Sequence, residues 1–163
     1  MRITLITVGK LKERYWRDAF DEYVKRLGAY AKFKLVEVDD RDHEKLGNDK
    51  ALALEGLDVV RAIDHVAGAG DVARPHVIVL DRIGRQRSSE GFADLIAGYA
   101  LSGRSSLVFV IGGSVGLGPM VLERADAMIS FGEMTYPHNL MRVMLVEQIY
   151  RAFKILKSEP YHK

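Results

Sequence analysis

Apolar positions along this chain follow two rhythms that alternate from one end to the other. Residues 2–8 have the two-residue period of a strand, with Ile3, Leu5 and Thr7 opposed to Thr4, Ile6 and Val8. Trp16, Phe20, Tyr23 and Leu27 then fall at i, i+4, i+7 and i+11, one face of a helix. Phe33–Val38 predicts a second strand. The charged stretch from Asp39 to Lys50 predicts an exposed, mobile loop. It leads into a helix with a face through Leu52, Leu57, Val60 and Ile63, stopped by Gly68-Ala69-Gly70.

Val77–Leu80 is short, wholly aliphatic and bounded by Pro75 and Asp81, as expected of a strand covered on both faces. The segment DRIGRQR (81–87) predicts a loop, after which Ser88 or Ser89 can cap a helix carrying Glu90 in its first turn. Leu107–Ile111 predicts a fourth strand, followed by the glycine loop GGSVGLGP (112–119) and a short helix over Pro119–Ala125. Ala127–Phe131 predicts a fifth strand, GEMTYPHN (132–139) a loop, and 139–157 the longest helix. Five strands alternating with five helices predict an α/β fold, a single domain with a mostly parallel five-stranded sheet. In such sheets ligands sit beyond the carboxyl ends of strands. Leu80-Asp81, Ile111-Gly112-Gly113 and Phe131-Gly132-Glu133 are the ends that stand out.

Composition narrows the chemistry. With 163 residues and no cysteine, the chain has neither a disulfide framework nor a thiolate metal site or nucleophile. The N-terminal apolar run is too short and too alternating for a signal peptide, and no segment has the length of a membrane span, so a cytoplasmic protein with no membrane partner is expected. A net charge of +2 rules out indiscriminate nucleic-acid binding through an all-over positive coat. Basic groups are concentrated instead: Arg82, Arg85 and Arg87 in one segment, and Arg142, Arg151, Lys154, Lys157 and Lys163 along the C-terminus.

The glycines at 112, 113, 116 and 118 are in the wrong order, and after the wrong strand, for a dinucleotide fingerprint, and no Walker A lysine follows them. GGSVG is not a GxSxG elbow around Ser114. The histidines are scattered, His43 and His65 reading as solvated positions and His76 as a strand start, so no metal site is expected. On the last helix Met141, Leu145, Ile149, Ala152 and Leu156 share an apolar face. Glu147, Arg151, Lys154 and Ser158 form a polar stripe roughly 120–180° from Arg142. Arg142 is therefore expected at a partly buried site or a subunit interface, and the helix's surplus apolar residues (Leu140, Met144, Val146, Phe153) are expected in part against a second subunit. The tail Pro160-Tyr-His-Lys163 is disordered by default, yet carries groups suited to stacking a base and contacting phosphate. Together these features suggest an enzyme that binds a nucleoside-like cofactor and works on nucleic acid.

The segments VIVLDRIGRQRSSEGFADLI (77–96), LVFVIGGSVGLGP (107–119) and MTYPHNLMRVMLVEQIYRAFKILKSEPYHK (134–163), with the opening 3–27, closely resemble the ribosomal RNA large-subunit methyltransferase H family of the SPOUT superfamily. The resemblance implies a SPOUT-type C-terminal trefoil knot within one domain over 1–163, acting as a homodimer. It implies S-adenosyl-L-methionine as methyl donor, held by Leu80, Gly112, Phe131, Gly132, Glu133, Met134, Thr135 and Tyr136, with no metal. The implied substrate is N3 of a pseudouridine in 23S ribosomal RNA of the assembled ribosome, and not DNA. For such a reaction His138 and His162 are the candidate bases, Arg142 and Arg151 the candidate anion stabilisers, and Tyr161 the candidate stacking ring. The tail could complete the site across the dimer. Three alternatives stand beside this reading: a SPOUT methylase of another RNA site, such as a tRNA base or a ribose, a non-catalytic RNA-binding assembly factor, and a flavodoxin-like FMN carrier.

Overall fold

The computed structural model describes residues 1–68 and 74–161. Among the described residues five strands form one sheet: β1 (Arg2–Val8), β2 (Lys32–Val38), β3 (His76–Gln86), β4 (Ser106–Ile111) and β5 (Ala127–Ser130). Their spatial order is β2-β1-β4-β3-β5, and every pairing is parallel. Six helices accompany them among the described residues: α1 (Arg14–Leu27), α2 (His43–Leu46), α3 (Asn48–Gly68), α4 (Ser89–Leu101), α5 (Pro119–Glu123) and, after the last strand, α6 (His138–Leu156). None of these is long and apolar enough to cross a membrane.

The two faces of the sheet carry different apolar residues. Ile3, Leu5, Ile78, Leu80, Leu107, Phe109 and Ile111 point into a core shared with α1, α4 and α6. Ile6, Val8, Val77, Val79, Val108 and Val110 point the other way, into a core shared with α3 and α5. With both faces covered, alternation survives as large against small and not as apolar against polar. Beneath the first face, α6 packs between α1 and α4. That neighbourhood absorbs part of its surplus: Val146 is fully buried, and Phe153 packs on the same core.

Three expectations are corrected. The Asp39–Lys50 stretch is not a continuous loop: Asp42 accepts a hydrogen bond from the Lys45 amide (3.1 Å) and so caps α2, and α3 begins at Asn48. The face that α3 buries is Ala51, Glu55, Gly56, Val59 and Ile63, whereas Leu57 is exposed. Finally, the 81–87 segment is mostly strand. After a register shift at Leu80, β3 resumes pairing with β5 through Arg85 and Gln86. The polar residues of 81–86 conceal this because the pairing partner lies more than 40 residues further along. Of the expected helix stop at 68–70, only Gly68 lies within the described residues.

Gly84 is where this continuation crosses β5. A Cβ there would sit 2.5 Å from the Ile129 carbonyl carbon, inside any real contact. Gly84→Ala is expected to cost about 1–3 kcal/mol through overpacking. Denaturant unfolding should show a lower midpoint, and an unchanged midpoint would mean β3 and β5 part easily here.

Candidate active site

The carboxyl ends of β4 and β5, with β3 at Leu80 where its pairing with β4 stops, open into a cavity of about 830 Å³. Leu80, Asp81 and Arg82 form one side, the turn Ile111–Leu117 the second, and the loop Ser130–Pro137 with His138 and Met141 of α6 the third. The turn after β4 is closed by a bridge between Gly113 and Gly116, whose amide donates to the Gly113 carbonyl (3.2 Å). Gly112 lies so close to the Gly116 carbonyl and the Leu117 side chain that no Cβ fits. Its part of the wall is therefore bare backbone. On the opposite side, the Ser130 hydroxyl donates to the Gly132 carbonyl (3.0 Å) and accepts from the Gly132 amide (3.1 Å), shaping the start of the 131–136 loop.

Leu80, Gly112, Phe131, Gly132, Met134, Thr135 and Tyr136 all line this cavity. Glu133 is exposed and is not in the lining. His138, the first residue of α6, lines it as well. Burial pushes the His138 imidazole below its usual range, and the Arg142 guanidinium pushes it further. Asp40 and Glu13 pull the other way more weakly. The ring is thus held neutral around pH 7.

Arg142 does not reach the cavity surface. Its side chain is 0% exposed, and its guanidinium donates to the carbonyls of Val8 (2.7 Å) and Gly9 (3.1 Å) and to the Glu37 carboxylate (3.3 Å). The reading that Arg142 stands off the solvated stripe therefore has an intrachain cause, a tie between α6 and the ends of β1 and β2. Arg151 and Tyr161 form a third locality, at the far end of α6. Arg151 donates to Glu147 (2.9 Å) and its guanidinium lies 4.7 Å from the centre of the Tyr161 ring. The Tyr161 hydroxyl donates to the same carboxylate (3.0 Å), and its ring meets Tyr150 edge-on. The tail is thus folded back as far as Tyr161. His162 and Lys163 lie outside the described residues.

Beside the first cavity is a second, of about 230 Å³, at the ends of β1 and β2. The two share Gly113, Ser114 and His138. Its lining includes Lys10, Lys12, Glu13, Asp40, Arg41, His43, Glu55 and Asn139. The sequence reading missed both His43 and Glu55. His43 is not solvated: its Nε2 lies 3.0 Å from Glu55, itself buried on the inner face of α3. One signal was present, since Ala51, Glu55, Val59 and Ile63 recur every four residues, setting a carboxylate on an otherwise apolar face.

The family model described as "Predicted SPOUT methyltransferase" matches residues 1–162. The chain belongs to the SPOUT methyltransferases. Relatives named "Ribosomal RNA large subunit methyltransferase H" come from Enterococcus faecalis (48% identical over 164 residues), Limosilactobacillus reuteri (49% over 167) and Bifidobacterium adolescentis (48% over 167). Each alignment spans 100% of both chains. This full-length likeness assigns the chain to their branch of the SPOUT family. A solved structure, the SpoU methyltransferase AviRb from Streptomyces viridochromogenes in complex with the cofactor AdoMet, matches with a TM-score of 0.49 at 11% identity. That match covers 98% of this chain and 58% of that one, and is too distant to transfer any residue.

His76, which is buried, and His138, which is half-buried, give this SPOUT methyltransferase an acid response. Burial is the main cause lowering both His76 and His138 from 6.5. In the window below 6.5 the unfolded chain takes up protons that the folded chain refuses, so stability falls as pH falls. The melting temperature is expected to drop between pH 7 and about 5, and His138→Gln should remove part of that slope. An identical slope in the variant would show that His138 titrates normally.

Proposed function

We propose that this protein transfers a methyl group from S-adenosylmethionine to N3 of a pseudouridine in large-subunit ribosomal RNA, acting in the cytoplasm on the assembled ribosome as a knotted homodimer. The observation that carries the reading is the cavity beside Leu80 of β3 and the ends of β4 and β5, in a chain matching relatives named ribosomal RNA large subunit methyltransferase H end to end. Their name supports ribosomal RNA as the substrate, and the pseudouridine and its N3 atom follow from the family resemblance. Two apolar side chains near the cavity, Ile83 (74% exposed) and Met134 (69% exposed), support a second copy of the chain closing over this edge.

The residues present fit the methyl donor. A cavity of about 830 Å³ falls within the range of small-molecule sites. Aliphatic walls at Leu80, Ile111, Ile129 and Met141, with bare backbone at Gly112, suit a flat adenosine held by main-chain groups. Leu80, Gly112 and the 131–136 loop would hold it. When bound, the donor supplies an activated methyl group.

The chain's own part is to seat the nucleotide, remove a proton from its ring and steady the resulting charge. An imide nitrogen is mostly protonated at neutral pH and is a poor nucleophile until it loses that proton. His138 sits where the two cavities meet, and its neutral ring can accept the proton. Arg142, behind it, acts through His138 by holding α6 in place and disfavouring the charged imidazole. Lys10 and Lys12 of the second cavity offer positive charge to the ring oxygens or a phosphate.

His138→Ala should lower the methylation rate about 10²–10⁴-fold, with donor affinity within a few-fold and partial recovery at high pH, where the imide ionises unaided. Methyl transfer to ribosomes, separated large subunits and tRNA, followed by mass mapping of the product, measures this and also tests the substrate. Wild-type transfer to tRNA alone would overturn the ribosomal reading.

Removing residues 160–163 tests the tail. It should abolish transfer to ribosomes while donor affinity, read by calorimetry, stays within a few-fold. Normal turnover by the truncated chain would exclude the tail from the reaction.

A further inference from the structure

We propose that the smaller cavity seats the target base, and that the buried Glu55 carboxylate within it accepts a ring N–H which distinguishes pseudouridine from uridine. This rests on the function proposed above and names the residue that selects its substrate.

Unmet hydrogen-bonding capacity is concentrated at this cavity. Among the described residues, seven buried side-chain atoms have no partner: Thr7 Oγ1, Arg41 Nε, His43 Nδ1, Glu55 Oε2, His76 Nε2, Asn139 Oδ1 and Arg142 Nε. Four of them, on Arg41, His43, Glu55 and Asn139, belong to residues that line the smaller cavity. Buried polar atoms are ordinarily paired, so a cluster of unpaired ones marks a place where a polar ligand completes the structure. Both accepting atoms (Glu55 Oε2, Asn139 Oδ1) and donor-bearing groups (Arg41, His43) are present. A uracil-type ring, which alternates N–H and C=O around its edge, offers the complementary set.

Glu55 is the best held of the four. The residue is 2% exposed, and its Oε1 accepts from the Arg41 amide (2.8 Å) and sits 3.0 Å from His43 Nε2. Those two contacts fix the carboxylate and leave Oε2 as the unmatched acceptor. Oε2 faces the turn after β4, where a Cβ on Gly113 would lie 3.8 Å from it. Gly113 lines both cavities, so this oxygen is close to the boundary where base and methyl donor would meet. A buried carboxylate oxygen without a donor is costly, and a ring N–H supplies one.

The geometry of the base makes that acceptor selective. In pseudouridine the ribose is joined to C5, so N1 keeps its hydrogen. N1–H and N3–H flank a single carbonyl. With N3 turned toward the methyl donor, N1–H lies one carbonyl away, available to a carboxylate at the side of the cavity. In uridine N1 carries the ribose and the ring has no second N–H. A site built to bond a substrate N–H rejects an analogue that lacks it, because its own buried group is left unpaired.

The test is Glu55→Gln, assayed on ribosomes carrying either pseudouridine or unmodified uridine at the target position, alongside donor affinity and melting temperature. Wild-type protein should prefer pseudouridine by on the order of 10³-fold or more in kcat/KM. The variant should lose on the order of 100-fold on pseudouridine and have its preference reduced to about tenfold, with donor affinity unchanged. A variant that melts lower but keeps the wild-type preference would show Glu55 to be structural and overturn the proposal. Should Glu55→Gln fail to fold, Asn139→Leu decides. It places an apolar side chain in the same cavity and should abolish transfer while leaving donor affinity within about threefold; undiminished transfer overturns the proposal. Failure of the wild-type protein to methylate either ribosome would instead overturn the function on which this inference rests.

Discussion

The burial of one guanidinium governs how this molecule is put together. Arg142 is fully enclosed, and three of its contacts are to the ends of β1 and β2: the carbonyls of Val8 and Gly9 and the Glu37 carboxylate. A charge so placed is stable only while those partners stay in position, and losing one of them costs several kcal/mol, on the order of 3–5. The first turn of α6 is therefore pinned across the carboxyl edge of the sheet. His138 sits one turn before Arg142 and is carried by the same constraint into the seam between the two cavities. Burial is the main cause that lowers the His138 imidazole there, and the charge of the guanidinium adds to it.

From this tie the layout of the site follows. α6 is wedged between α1 and α4 beneath the sheet, and only its N-terminal end reaches the strand ends. The far end of the same helix holds Arg151, Glu147 and Tyr161 in a cluster of their own. One helix thus carries two groups of polar residues about nine residues apart. At 1.5 Å rise per residue that is roughly 14 Å, too far for both to act on one atom within a single chain.

Much of this was legible in the sequence, and the parts that were not share a reason. The strands were visible because their apolar runs are local, and Arg142 was visible because its helical angle differs from that of the solvated stripe. The continuation of β3 was hidden because its polar residues pair with Ile129 and Ser130, far along the chain. The inner face of α3 is hidden in the sequence because size does not mark burial there: Leu57 is exposed, whereas Ala51, Glu55 and Gly56 are buried. Of the candidate cavity, the glycine turn and the 131–136 loop could be found from strand ends alone. His43 could not, since it meets Glu55 only when α2 folds against α3, and Glu55 is marked only as a carboxylate on the apolar repeat of Ala51, Val59 and Ile63.

The preference for valine on one side of the sheet has a consequence for chemistry as well as for packing. Valine is one carbon shorter than leucine, so a helix lying on Val8, Val108 and Val110 settles nearer the strands than one lying on Leu5, Leu107 and Phe109. Layer thickness thereby becomes a gauge that brings a helix-borne carboxylate within reach of a strand-end turn. Leucines in place of those buried valines would overpack this side of the sheet and push the helix, with its carboxylate, away from the turn.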